Sequence, residues 1–361
     1  MTQRIRIGII GCGEVTQINH LPSLKFLEEF FEVTALSDVS AGVLEAVGNS
    51  HHVKHRFLEY HDLIASPDVD AVLITTPHAY HSEQTLAALE HGKHVLVEKP
   101  MAMTLEDADT IIAAQHRTGL TVQVGYMRRY ASAFEEAVAR VKKLEGGIRM
   151  ARVHAVIGEN SFFIQSNSKV IRGSDVPAQV IENGKRLYQR KLQQAIGEAS
   201  RELAMTYGLM IGLCTHDLSA MRELIGIPKK ILYATQRHAG SYIGAAFDYG
   251  DFVCHFETTI DQIPRFDSHL EVYGDTQMLH VQYNTPYVRH LATKLEITSA
   301  TPDHGVHLET IQPAFEDNFT REWRAFFQNV TTGSIPKTNP SDYRHDLELF
   351  AEMIKCIRKT A

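Results

Sequence analysis

The strongest constraint on the fold lies in the first twenty residues. A strand-like run, Ile5–Ile10, breaks into Gly11-Cys12-Gly13-Glu14-Val15-Thr16, and a helix-period pattern follows at once. A strand that feeds a helix through two such glycines makes a tight turn whose bare amides, at a helix N-terminus, can approach a pyrophosphate. Gly11 suits the turn and Gly13 the close approach, while Glu14 and Val15 open the helix beside the same group. Thr16 stands where the pattern prefers Gly or Ala, which predicts a slightly wider spacing between helix and strand. The second strand pattern ends at Asp38, 22 residues beyond Thr16, where a carboxylate can accept from both hydroxyls of a ribose. Val39, Ser40 and Ala41 come next, with no Arg or Lys to hold a 2′-phosphate, so the expected cofactor is NAD rather than NADP.

From Arg4 to about Gly125 the chain alternates short β-branched runs with helical segments: Ile5–Ile10, Val33–Leu36, Ala71–Thr75, Val95–Val97 and Thr121–Val124 are the strands. That rhythm predicts an α/β fold with a doubly wound parallel Rossmann sheet over residues 1–125. Ligands of such sheets bind at the carboxyl ends of strands, so Thr76, Pro77 and His81, which follow the run at Leu73-Ile74, should border the nucleotide. His78 and His81 have no carboxylate or cysteine nearby to complete a metal site, and His51-His52 with His55 lie in a polar connection; no metal is expected. The run Val95-Leu96-Val97 ends in Glu98-Lys99-Pro100, which adds Glu98 and Lys99 to the expected cofactor contacts. A lysine beside a positive nicotinamide ring favours its neutral form and can move a proton or hold a substrate oxygen. Alone, Lys99 reads equally well as the start of a loop.

Gly146-Gly147 ends a further helix, and the rhythm then changes to longer alternating strands, among them Ile148–Ile157, Lys230–His238, Phe252–Thr259, His269–Tyr273, Met278–Tyr283 and Lys294–Thr298. They predict a second, α+β domain over 126–361 with a large, mostly antiparallel sheet. A helical stripe interrupts it near 177–203: Val180, Gly184, Tyr188, Leu192, Ile196, Ala199 and Leu203. The plain reading is an amphipathic helix packed on the domain or at a subunit interface, and the alternative is a lid over the substrate. His216 stands in Cys214-Thr215-His216-Asp217 and can titrate near neutrality, although a histidine at an apolar helix start is more often a satisfied core residue.

With 361 residues, two domains are the default. A net charge of −7 and no basic cluster argue against nucleic acid and anionic membranes as partners. Four scattered cysteines without a CxxC pair suit a reducing cytoplasm, and neither a secretory leader nor an apolar span of about 20 residues is found.

Taken together, Gly11-Cys12-Gly13, Thr76-Pro77 with His81, Glu98-Lys99-Pro100, Gly125-Tyr126-Met127-Arg128-Arg129-Tyr130 and His216 resemble the glucose-fructose oxidoreductase and inositol dehydrogenase group, Gfo/Idh/MocA. The resemblance implies an enzyme that oxidises a secondary hydroxyl of a sugar, sugar acid or cyclitol, or runs the reverse reduction. It implies that His216 takes the hydroxyl proton while Lys99 holds the same oxygen, and that both touch substrate. Tyr126, Arg128 and Tyr130 are then expected to line the substrate cleft, where an arginine can read a carboxylate. The family's second domain often builds homodimers or homotetramers through its sheet. Two features depart from the pattern: Gly212 stands where the family carries an aspartate four residues before the histidine, and the helix near 177–203 exceeds the family's minimal plan. The first leaves three possibilities: His216 working with Lys99 alone, a carboxylate supplied elsewhere by Glu159 or Asp175, or lost turnover. Two rival functions follow, a redox-neutral NAD-dependent cleavage of glycosides and a non-catalytic dinucleotide-sensing regulatory protein.

Overall fold

The computed structural model describes residues 4–360, which divide into two compact units. The first contains the residues through Tyr126, then Ser168–Gly197 and Phe319–Leu347; the second contains Met127–Asn167, Glu198–Asn318 and the residues from Glu348 on. This corrects the simple expectation of two consecutive blocks, 1–125 and 126–361. The reason lies in packing: Trp323 and Phe326, far along the chain, are fully buried in the same apolar cluster as Leu27, Phe31 and Leu36.

The first unit holds six strands, β1 (Ile5–Ile10), β2 (Phe31–Ser37), β3 (His55–Phe57), β4 (Ala71–Ile74), β5 (His94–Glu98) and β6 (Val122–Gly125). All pair in parallel, in the order β3-β2-β1-β4-β5-β6. β4 and β6 are buried at every residue, as strands covered by helices on both faces must be. Strand order reverses at β1, so the connections leaving β1 and β4 diverge and open a crevice at the carboxyl edge. The helix Leu105–Thr118 shows how local sequence sets the ends: the Thr104 hydroxyl accepts from the Asp107 N–H, and Gly119 closes it at φ 68°. The expected helix near 177–203 is in fact two. Ala178–Ile196 stops at Gly197, again at φ 68°, and Arg201–Leu209 restarts under a Ser200 cap as part of the second unit.

The second unit is built on β7 (Met150–Gly158), β8 (Lys230–Arg237), β9 (Tyr242–Asp248), β10 (Val253–Asp261), β11 (Phe266–Tyr273), β12 (Gln277–Tyr283), β13 (Lys294–Ala300) and β14 (Val306–Ile311). Their order is β14-β13-β12-β11-β7-β10-β9-β8, and β7 with β10 is the parallel pair in an otherwise antiparallel sheet. Ala151, Val153, Ala155 and Ile157 of β7 turn to the face covered by the helices Ser132–Val141 and Thr215–Ile225. The other face is polar, with Arg152 paired to Glu257 and the rings of His154, His269 and His280 stacked in a row at 4.7 Å spacing. No described helix is long and apolar enough to cross a membrane.

Candidate functional site

At the carboxyl edge of the parallel sheet the chain leaves β1 through a turn that only glycine can make. Gly11 has φ 96°, and a Cβ there would lie 3.0 Å from the Thr75 carbonyl. Gly13 differs: no protein atom comes within 4 Å of where its Cβ would sit, so its bare backbone is part of a pocket wall. Thr16 fills the third position with a hydrogen-bonding side chain. Its hydroxyl donates to the Gly11 carbonyl at 2.8 Å and meets the Thr75 hydroxyl at 2.7 Å, and the helix opens with a π turn, Thr16–His20. Asp38 braces the turn, accepting from the Cys12 N–H at 2.8 Å and from the Ser40 N–H at 2.9 Å.

These groups surround a pocket of about 940 Å³, within the usual span of cofactor sites, roughly 300–1,000 Å³. Of the expected cofactor contacts, Gly11, Gly13, Asp38, Thr76 and Pro77 line it, and Glu14, Val15, His81, Glu98 and Lys99 do not. The fit to a dinucleotide rests on the open backbone face at Gly13, the carboxylate at the end of β2 and the volume. Tyr60, His78, Tyr80 and Gln84 line it too, and none of them belongs to a recognisable motif. The more telling addition is the helix Ala178–Ile196, which contributes Val180, Ile181, Gly184, Lys185 and Tyr188. Its apolar stripe is visible in the sequence; the surface it covers is not. His78 stays neutral in this setting, pushed down to about 3 by burial and by the positive Lys99 nearby.

Behind the pocket, His81 is a strut. It is buried, with Nδ1 2.8 Å from the Pro100 carbonyl and Nε2 2.6 Å from the Thr76 carbonyl, and burial holds it below the ordinary histidine range. It sits between the two loops that border the crevice and does not line the pocket, where a cofactor contact is expected. Glu98, also buried, accepts from the Lys99 N–H at 3.1 Å and lies 3.2 Å from His20 Nε2. The Trp323 indole, a donor only, donates to His20 Nδ1 at 3.1 Å, so Nε2 carries the proton that points at Glu98. Burial alone would raise Glu98; the bond from His20 and the charge of Lys99 reverse this and leave it below the usual carboxylate range. Lys99, half-buried, follows at a cis bond to Pro100. Glu14 turns outward to pair with Arg172, and Val15 is half-buried in the first helical turn.

In the second unit, His216 is 6% exposed at the start of the helix Thr215–Ile225. A π turn, Met210–Cys214, precedes it, and the Thr215 N–H reaches back to the Met210 carbonyl. Gly212 lies inside that turn, so residue 212 and His216 do not share the spacing of an ordinary α-helix. Asp217 cannot replace the missing aspartate. It is fully buried and paired with Arg128, and Ser268 donates to it at 2.9 Å. Asp175 is engaged in the first unit with Ser40 and Gly42, while Glu159 is exposed and accepts from Ser161.

Three expected substrate contacts are buried, and two of them, Arg128 and Tyr126, are engaged by other side chains. Arg128 is 4% exposed, bound to Asp217 and Ser268, with its guanidinium 5.4 Å and 5.2 Å from the ring centres of Phe266 and Tyr283. Tyr126 is fully buried, and its hydroxyl donates to Asp346 at 2.6 Å. Tyr130 is 4% exposed. Among the described residues, no group of three or more His, Cys, Asp or Glu side chains is placed to hold a metal.

Residues 5–126 match the Gfo/Idh/MocA family model, described as an oxidoreductase family with an NAD-binding Rossmann fold. Inositol 2-dehydrogenase of Salmonella typhimurium is 35% identical over 132 residues, 36% of this chain and 39% of that one. The chain spans about two fifths of the length of the curated relatives it matches. Solved structures extend the likeness of fold to the whole chain. A 3-ketoreductase from Actinomadura kijaniata, in complex with NADP and TDP-benzene, has a TM-score of 0.73 at 20% identity, covering 99% of this chain and 98% of that one. The aldose-aldose oxidoreductase of Caulobacter crescentus has 0.75 at 19%, covering 99% of both.

Proposed function

We propose that this chain, whose residues 5–126 match the Gfo/Idh/MocA oxidoreductase model, is an NAD-dependent dehydrogenase acting on a secondary hydroxyl of a sugar or cyclitol. The observation that carries the reading is the pocket at the carboxyl edge of the parallel sheet, with Gly13 bare on its wall and Asp38 at the end of β2. NAD is favoured because a 2′-phosphate would meet the Asp38 carboxylate, with Val39 and Ser40 beside it and no basic residue at that turn. Inositol 2-dehydrogenase supports the cyclitol end of the substrate range, and the aldose-aldose oxidoreductase supports the sugar end.

When bound, nicotinamide supplies the hydride acceptor. The protein manages alignment and the proton: Lys99 is assigned the reacting oxygen and His216 its proton. Glu98, His20 and Trp323 position Lys99 through the buried chain of hydrogen bonds behind it. The burial of Arg128 weighs against a dedicated carboxylate reader and moves the preference away from sugar acids. The reading includes a cytoplasmic location, supported by Cys12, Cys214, Cys254 and Cys356 all being free thiols, and a homodimer or homotetramer built on the open face of the second unit's sheet.

The test is a panel of inositols, aldoses, uronic acids and glycosides with NAD or NADP, following absorbance of the reduced nicotinamide. Reduction with a free polyol or sugar supports the proposal, and Lys99→Ala should then abolish turnover while NAD affinity stays near normal. A glycoside consumed without net reduction would favour redox-neutral cleavage. Silence across the panel would refute the dehydrogenase reading and point to Gly212.

A further inference from the structure

The segment Ser168–Gly197 is separated in sequence from every cofactor motif, yet it belongs to the parallel sheet's unit and touches that sheet's ligand-binding edge at several points. Gln17, in the first turn after the glycine loop, grips it with both ends of its amide: Oε1 accepts from the Ile171 N–H and Nε2 donates to the Ile171 carbonyl, each at 2.9 Å. The same Nε2 donates to the Cys12 carbonyl at 2.7 Å, so the clasp is tied directly to the loop. Arg172 pairs with Glu14. Asp175 accepts from the Ser40 hydroxyl and, at 2.9 Å, from the Gly42 N–H, which binds the segment to the turn that follows Asp38. Beyond these clasps the helix Ala178–Ile196 lies along the pocket. Gly184 lets the Tyr80 hydroxyl come within 3.3 Å of where a side chain would begin, and Lys191 ties the helix down at Asp107, 2.6 Å away.

We propose that Ser168–Gly197 is a strap that completes the dinucleotide site, closing over the ADP half and opening for the nucleotide to exchange. The inference rests on the dinucleotide reading above. Its clasps fall on both loops that an ADP moiety must pass between: Gln17 and Glu14 beside the glycine loop, and Ser40 and Gly42 beyond Asp38. Charge points the same way. Asp38, Glu59 and Glu83 share the pocket lining, and Lys185 is the one lysine or arginine in it among the described residues, so the strap brings the cation that a phosphate requires. Either the pyrophosphate or a 2′-phosphate satisfies that chemistry.

The test follows NADH fluorescence in a stopped-flow instrument while excess NAD displaces bound NADH from the full chain. Asp175→Ala should speed release about tenfold or more, and Arg172→Glu, which breaks an exposed pair, up to about fivefold, since each removes charge-assisted hydrogen bonding that holds the strap. In the unaltered protein, hydrogen exchange at the Ile171 amide and along 178–196 should slow when NADH is added. Lys185→Ala should weaken NADH and NADPH equally for a pyrophosphate contact, or NADPH alone for a 2′-phosphate contact. Release rates unchanged in both clasp variants, with no gain of protection along the strap, would overturn the strap while leaving the site intact. If the unaltered protein binds neither NADH nor NADPH, the dinucleotide reading falls and takes the strap with it.

Discussion

Replacing Asp217 by alanine removes the counter-charge of an almost wholly buried arginine. Arg128 is 4% exposed and flanked by two aromatic rings, and with Asp217 gone the Ser268 hydroxyl is left to hold it. Breaking a buried pair of this kind from one side costs about 3–5 kcal/mol, because the surviving charge stays desolvated. At about 2–4 °C per kcal/mol for units of this size, the melting temperature should fall by about 6–20 °C. The assay separates the two units, since the single tryptophan, Trp323, lies in the first and the altered pair in the second. In urea, far-UV circular dichroism should show an early transition that tryptophan emission does not follow. Changing both partners, Arg128→Met with Asp217→Leu, should recover most of the loss, as apolar replacements of buried pairs do. If Asp217→Ala stays within about 1 kcal/mol of the parent, a value typical of exposed pairs, the guanidinium is solvated and Arg128 returns as a substrate contact.

Gly13→Ala meets no protein atom, so its stability should change by no more than about 0.5 kcal/mol while NADH affinity drops at least about tenfold in a fluorescence titration; unaltered affinity would remove the glycine loop from the site. Gly11→Ala, by contrast, sets a side chain at φ 96° against Thr75 and should cost about 1–3 kcal/mol in thermal unfolding even without ligand. Glu322 predicts a pH effect: burial, and then the negative Glu98, push its carboxyl well above the ordinary range, so the folded protein keeps a proton that the unfolded chain releases. The stability tied to that proton is fully present below the unfolded value and is lost as pH rises towards the folded one. Melting curves of Glu322→Gln and the parent should therefore diverge as pH climbs from 5 to 8, with the parent losing more, and parallel curves would refute the assignment.

Much of the first unit was legible because its signals are local. The glycine turn and Asp38 at a strand end each depend on a few neighbouring residues, and both fall where the spacing predicts. β3 was not legible, since three residues are too short to display a period, and β9 hides in Gly244-Ala245-Ala246, which has little strand character of its own. The site residues that failed did so for a different reason. Tyr126, Arg128 and His81 stand next to true motif positions, but whether such a side chain turns to the crevice or to the interior depends on partners more than a dozen residues away: Asp346, Asp217 and Pro100. The stripe Val180, Gly184, Tyr188 likewise announces a buried face without naming what buries it.

The first unit is assembled from three stretches of chain, the last beginning at Phe319. During synthesis, β1 to β6 leave the ribosome long before Trp323 and Phe326, the side chains that fill the centre of their apolar cluster. Until those residues arrive, the nascent parallel sheet carries an uncovered apolar surface around Phe31 and Leu36, and closure over so long a separation is slow. The parallel-sheet unit thus closes only after most of the second unit has been made, although it begins first, and a fragment cut after Tyr126 would retain every dinucleotide motif while lacking the indole at its core.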